Sequence, residues 1–220
     1  DFLPHAAGDG MEHRNSSILT ASGTIAGARV DLVEKAAHEV FHAWNIERIR
    51  PRSLEPFDFE RENVSGELWF GEGVTNYYGR LLSARAGVLP VEALAMQLGN
   101  AIDTVTRSTA RQHRSVIDMS RLAPLVDGAS PERRASVEGE FLSYYTWGET
   151  IALALDLHLR QRSNHRVTLD HLMRVLWQRF GTVSGEPGYV ARPYENLDVQ
   201  EALAEASGDV PFAQAFMDRY

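Results

Sequence analysis

The chain has 220 residues, 44% hydrophobic and 24% charged, an ordinary globular balance with length enough for one sizeable core or two small lobes around a cleft. A net charge of −8 argues against a nucleic-acid partner, which needs clustered Lys and Arg. There is no cysteine for a disulfide framework or a thiolate metal site, and no apolar run approaches the roughly 20 residues that span a bilayer.

In chain order, residues 1–28 are rich in Gly, Ser, Thr and Ala, with Ser17-Ile18-Leu19-Thr20 the best strand candidate; a small sheet or edge beside a cleft is expected here. From residue 29 onward helices dominate. The spacing of apolar residues predicts helices at 30–45, 72–86, 91–107, 141–162, 169–180, 199–205 and 211–219. Pro90 and Thr168 suit helix starts, and Gly181 and Gly208 suit terminations. Leu169, Leu172, Met173, Leu176 and Trp177 repeat at helical spacing and read as core. The charged segment 57–63 lacks periodicity and reads as a loop, while Leu68-Trp69-Phe70 reads as an apolar, strand-like run leading into the next helix. Between Gln112 and Glu140 lies a polar stretch containing 127–134, expected as an exposed loop, and 182–196 is rich in Gly and Pro and expected to be irregular. No internal repeat is present. The fold class is therefore mainly α (α+β): a helical bundle with a small N-terminal β segment at 1–28 beside the cleft and a largely helical remainder at 29–220.

The most informative stretch is His38-Glu39-Val40-Phe41-His42, an HExxH pentad within the predicted helix at 30–45. Residues i and i+4 share one helix face, so the two imidazoles can converge on a single ion while Glu39 projects to the side as a general base. Zinc at a catalytic site takes three protein ligands and keeps a fourth position for water, so one further ligand is needed. Glu62, Glu67 and Glu72 are the candidates downstream. Glu72 is favoured over the other two because a carboxylate in the first turn of a helix, fixed by packed aromatic neighbours, is the more rigid ligand. Asn76, one turn further on, has two readings: it hydrogen-bonds a ligand histidine and sets its tautomer, or it is a solvated helix residue. Arg48 and Arg50, before Pro51, have two readings: they bind a substrate carboxylate, or, as the favoured reading, they pair with Glu residues of the following loop. His5, His113, His158, His165 and His171 show no ligand spacing and carry no assigned chemistry, while His13 reads as a structural residue in preference to a further polar contact.

The run from His38 through Ala43-Trp44-Asn45-Ile46-Glu47-Arg48-Ile49-Arg50-Pro51 strongly resembles the glycyl aminopeptidase family of metallopeptidases, which carries HExxHxWNxxRIRP here. Other pieces follow in the family's order: Leu54-Glu55-Pro56-Phe57-Asp58, Leu68-Trp69-Phe70-Gly71-Glu72-Gly73-Val74-Thr75 and Ser143-Tyr144-Tyr145-Thr146-Trp147-Gly148, with Gly8-Asp9-Gly10-Met11-Glu12-His13 upstream. The resemblance spans nearly the whole chain. It implies a thermolysin-like zinc peptidase (gluzincin) domain related in plan to the aminopeptidase N enzymes, with one Zn2+ per chain on His38, His42 and Glu72 and with Glu39 as base.

By the same resemblance, Tyr145 occupies the place of the tyrosine in the relatives' YxKG element and implies an oxyanion donor, with Trp147 in place of the lysine; Tyr144 reads as a packing residue. Gly10 and Glu12 match a GxMEN-like element whose glutamate holds the substrate's free amine while its backbone runs beside the peptide. Family members usually carry a β-rich domain before this region and a PDZ-like domain after it; neither lies within 1–220, so the chain is expected to be a catalytic domain whose flanking domains are partners in the full-length protein. The lack of cysteine suits cytoplasm and periplasm equally, and with Asp1 first any targeting peptide is expected to be already gone, so localisation is not readable. The expected function is a zinc aminopeptidase acting on short peptides, with glycine or another small amino-terminal residue implied by the family. An endopeptidase with the same zinc apparatus, or an inactive peptide-binding relic, are the alternatives.

Overall fold

The computed structural model describes the backbone of residues 2–3, and residues 9–21, 24, 26–27, 29–126 and 139–220. His5, Gly8 and the expected loop at 127–134 lie outside the described residues. Three short strands, β1 (Phe2–Leu3), β2 (Gly10–His13) and β3 (Ser16–Thr20), form a sheet of order β1-β3-β2. β3 pairs parallel with β1 and antiparallel with β2, Gly10 opposite Leu19 and Glu12 opposite Ser17, so β2 is a free edge among the described strands. Because side chains alternate along a strand, Met11 and His13 face solvent while Gly10 and Glu12 turn inward.

The HExxH helix, α1 (Arg29–Phe41), packs its inner face against this sheet. It ends earlier than the predicted boundary at 45. His42 keeps a helical N–H bond to the His38 carbonyl at 3.2 Å, and the chain then turns sharply. Ile46 is held at φ 97°, a strained conformation for a β-branched residue, by bonds of Ile46 N–H to the Ile49 carbonyl (2.9 Å) and Ile49 N–H to the Trp44 carbonyl (2.8 Å).

Leu68-Trp69-Phe70 is not strand-like. Trp69–Val74 forms a π-helical turn that runs into α2 (Thr75–Arg85), so Glu72 sits inside a widened turn and not at a helix start. All six residues of that turn are buried, and a segment buried on every side carries no periodicity from which helix and strand can be told apart. Two glycines bring this turn against the helix at Tyr144–Ser163. A Cβ on Gly73 would lie 2.5 Å from the Gly148 carbonyl carbon, and one on Gly148 would lie 2.9 Å from that of Trp69.

The rest is helical: α3 (Val91–Arg107), α4 (Val116–Arg121), α5 (Ala123–Val126), α6 (Tyr144–Ser163), α7 (Leu169–Phe180), α8 (Asn196–Ser207) and α9 (Val210–Arg219). α3 and α7 match their predicted boundaries. α6 begins three residues later than 141, α8 begins at Asn196 and not at 199, and α4 and α5 break the polar stretch expected after Gln112. Pro90 and Thr168 do precede helices, and Gly208 ends α8 at φ 67°.

One core runs through the bundle, with Phe70, Leu172, Leu176, Phe180 and Leu203 fully buried. Trp177 departs from the expected core stripe. It is 40% exposed and covers Gly181 at the rim, its ring crowding the place a Cβ would take there. Buried Asp156 ties three helices together, accepting from Tyr77 Oη on α2 (2.8 Å), Arg160 Nε on α6 (2.9 Å) and Leu169 N–H on α7 (2.8 Å). No helix among the described residues is long and apolar enough to cross a membrane.

Candidate active site

α1, the π-helical turn and α6 meet around a cleft of about 400 Å3 whose open side is walled by β2. At its floor three ligand-type atoms converge. His38 Nε2 and His42 Nε2 are 3.0 Å apart, and Glu72 Oε2 lies 3.4 Å from the first and 3.2 Å from the second. A tetrahedral ion with ligands at about 2.0–2.1 Å has ligand-to-ligand edges of about 3.3 Å, so the triangle fits one face of such a site. The donor set, two imidazoles and a carboxylate, is also the type that zinc takes at catalytic centres.

Each donor is positioned by local structure. His42 is 1% exposed, and its Nδ1 pairs with the Asn45 carbonyl at 2.9 Å, which fixes Nδ1 as the protonated nitrogen and aims Nε2 at the cleft. Asn76 half-lines the cleft but bonds neither histidine; the backbone of Asn45 does what was expected of it. The Asn45 side chain, wholly buried, reaches across to the π-helical turn and donates to the carbonyls of Phe70 (3.0 Å) and Gly71 (2.9 Å) and to Thr75 Oγ1 (3.1 Å). One residue therefore orients His42 through its backbone and holds the turn bearing Glu72 through its amide. Gly79 lets α2 pack close to α1, since a Cβ there would sit 3.3 Å from His38 Cβ.

The rival carboxylates are occupied elsewhere. Glu67 accepts from Ser53 (2.8 Å), Ser65 (3.0 Å) and Asn196 (3.1 Å), and Glu62 is exposed in the loop expected for it. Arg50 pairs with Glu55 of the following loop at 2.7 Å, whereas Arg48 makes no ion pair among the described residues and bonds the Ala43 carbonyl at 2.6 Å.

Glu39 is buried beside the triad, and a carboxylate oxygen of Glu12, one of Glu39 and a nitrogen of His42 lie within 4.8 Å of one another. Gly10 explains how the strand comes so near. A Cβ at that position would fall into the Glu39 side chain, 2.5 Å from Cδ and 2.9 Å from Cγ. Tyr145 lines the opposite wall, its ring nearly parallel to His38 with centroids 6.4 Å apart, whereas Tyr144 is buried in the core. Trp147 faces away from the cleft into a separate cavity with Trp69 and Tyr220.

The electrostatics follow from burial and close contact. Burial alone would lower His42, but the Glu72 carboxylate outweighs it and pushes the imidazole up to about 9. Burial alone would raise Glu72, and the two imidazoles instead hold it at about 2. Glu39 is raised, chiefly by burial, against the opposing pull of His38 and His42. A carboxylate lifted this way is a better proton acceptor at neutral pH.

Two further residues at the cleft escaped the sequence reading. Arg80, two turns beyond Glu72 on α2, also lines it, and Glu149, one turn beyond Tyr145 on α6, pairs with Arg80 NH1 at 2.8 Å. The one available signal was helical spacing from Glu72 and Tyr145.

No curated protein matches the chain. Among solved structures, the crystal structure of an aminopeptidase N family protein from Idiomarina loihiensis superposes with a TM-score of 0.70 at 30% identity, covering 82% of this chain and 32% of that one. The present chain thus spans about a third of that relative. The sequence model of the M61 glycyl aminopeptidases matches residues 31–151, more than half of the 220 and including both histidines, Glu39, Glu72 and Tyr145. The chain belongs to the M61 glycyl aminopeptidase family, a family of peptidases.

Proposed function

We propose that residues 1–220 form the catalytic domain of a zinc-dependent aminopeptidase that removes small amino-terminal residues, such as glycine, from short peptides. The observation that carries this is the His38–His42–Glu72 triangle, with edges of 3.0–3.4 Å and Glu39 beside it. These three residues would hold the ion, which when bound acidifies a water and polarises the scissile carbonyl.

Glu39 acts as general base and then general acid, taking a proton from the attacking water and returning it to the departing nitrogen; its burial and raised pKa suit both steps. Tyr145, beside His38, donates a hydrogen bond to the oxyanion that develops at the carbonyl. Glu12 receives the substrate ammonium. The amine of an amino-terminal residue lies about 2.5 Å from its own carbonyl carbon, so its anchor must sit within a side chain's reach of the donors. Glu12 meets that condition, and a carboxylate so placed favours an ammonium over a continuing chain. The inward face of β2, with no side chain at Gly10, leaves the backbone able to run alongside the peptide.

Glu39→Gln is expected to bind zinc one-to-one, because the ligands are untouched, and to lose hydrolysis of glycyl peptides by a factor of about 100 or more. Parental turnover by that variant overturns the assignment of the base. Acetylating the substrate's amine is expected to abolish cleavage; cleavage at the unblocked rate would remove Glu12 as anchor and make the protein an endopeptidase.

A further inference from the structure

We infer that Arg80 binds a substrate carboxylate on the leaving side of the scissile bond, either the C-terminus of a short peptide or an acidic side chain just beyond the cleaved residue. This rests on the aminopeptidase proposal and extends it to the substrate class. With the amine held at Glu12 on β2, the rest of a substrate runs on through the same cleft, which Arg80 lines from α2. Glu72 and Arg80 are eight residues apart, about 12 Å along the helical path. Two extended residues past the scissile carbonyl span roughly 7 Å, and a long arginine side chain closes the remainder.

The guanidinium is built to receive an anion. Arginine carries five N–H donors, and among the described residues Arg80 has one partner, Glu149, through NH1. By contrast, Arg50 is used by Glu55 and by the carbonyls of Leu54 and Ile46. The Arg80 side chain is 29% exposed and the residue lines the cleft, while the side chain of Glu149 is 2% exposed. Glu149 therefore holds the guanidinium through NH1 and leaves its remaining donors for a ligand, and an arginine with adjacent free donors takes a carboxylate through two parallel bonds. Asp31 and Glu34 also line the cleft from α1, and they disfavour any anion that the guanidinium does not engage. Lys35, the other cation of the cleft, spends its ammonium on the Thr20 carbonyl at 3.3 Å.

The test compares kcat/KM of the metal-loaded protein on Gly-Ala-Ala, Gly-Ala-Ala-amide and Gly-Glu-Ala-amide. A charged hydrogen-bonded contact predicts a preference of about 10- to 100-fold for a carboxylate-bearing peptide over Gly-Ala-Ala-amide. Preference for Gly-Ala-Ala identifies the C-terminus as the ligand, and preference for Gly-Glu-Ala-amide identifies the side chain. In Arg80→Ala the ratios are expected to collapse towards one. Because that change leaves buried Glu149 without its partner, the double variant Arg80→Gln with Glu149→Gln is tested beside it and is expected to give the same collapse. Equal kcat/KM for all three peptides in the parent, or unchanged ratios in a folded variant, overturns the inference. Calorimetric binding of the same peptides needs no turnover. If none is hydrolysed, the aminopeptidase proposal fails, and the Arg80 assignment stands or falls on the binding ratios.

Discussion

Gly10→Ala separates catalysis from stability at a single methyl group. The backbone at Gly10 is not in the left-handed region, and the residue sits in an edge strand, so alanine suits the local conformation and stability is expected to change by no more than about 1 kcal/mol. The added carbon, however, would lie 2.5 Å from Glu39 Cδ, where ordinary contact begins near 3.5 Å. Something must yield by about 1 Å. The Glu39 carboxylate is the end of a flexible side chain and retreats at little cost in folding, but a reacting group misplaced by about 1 Å costs on the order of 100-fold in rate, or about 2.7 kcal/mol of barrier. If β2 yields instead, Glu12 moves with it and the amine anchor is lost. Either route predicts kcat/KM on a glycyl arylamide reduced by about 100-fold, with zinc stoichiometry and urea midpoint near parental. A variant with one zinc per chain and kcat/KM within about threefold of the parent would refute the close approach of β2 to the base.

Three further outcomes are expected. Asn45→Ala deletes the amide that holds the Phe70 and Gly71 carbonyls, which should destabilise the fold by about 2–4 kcal/mol in urea titrations and weaken zinc by about 10- to 100-fold in chelator competition; no change in either denies that Asn45 supports the Glu72 turn. In the metal-free protein His42 has a folded pKa of about 9, above its unfolded 6.5, so its contribution is complete below pH 6.5 and is lost as pH rises through about 9. Glu72, held at about 2 against an ordinary 4.5, contributes above pH 4.5 and loses that contribution as pH falls through about 2. The pair is thus fully stabilising between pH 4.5 and 6.5, and zinc binding at pH 7 must displace about one proton, read by calorimetry in buffers of different ionisation enthalpy; a buffer-independent heat contradicts this. Glu149, pushed up to about 7 mainly by burial, stabilises the fold most fully below pH 4.5 and loses that contribution as pH rises through 7, a span on the order of 3 kcal/mol. Glu149→Gln should flatten this slope between pH 5 and 8, and an unchanged slope would place the titration elsewhere.

Sequence reasoning succeeded where the determinant is local. α3 and α7 are amphipathic over many turns, start beside Pro90 and Thr168, and fell within their predicted limits. It failed at Trp69–Val74, where six consecutive buried residues leave no period to read, and at Trp177, where helical spacing cannot say that the stripe has reached the rim of the core. The pentad was legible for the same reason that α3 was, since the fourfold spacing of His38 and His42 is enough to bring their rings together on one helix face.

By itself, then, the sequence determined the mainly helical class, the paired imidazoles with Glu39 between them, and the short list of carboxylates able to join them. Tertiary structure alone decided that Glu72 closes the triangle while Glu67 is held by Ser53, Ser65 and Asn196. It also decided that Asn45, and not Asn76, orients His42, and that Gly10 and Glu12 reach the base from a strand far away in the chain. The division has a physical cause. Ligand spacing within one helix is set by backbone geometry that any window of sequence displays, whereas the choice among distant carboxylates depends on which backbones approach closely enough to touch, as Gly73 and Gly148 do, and that is settled by packing of the whole bundle.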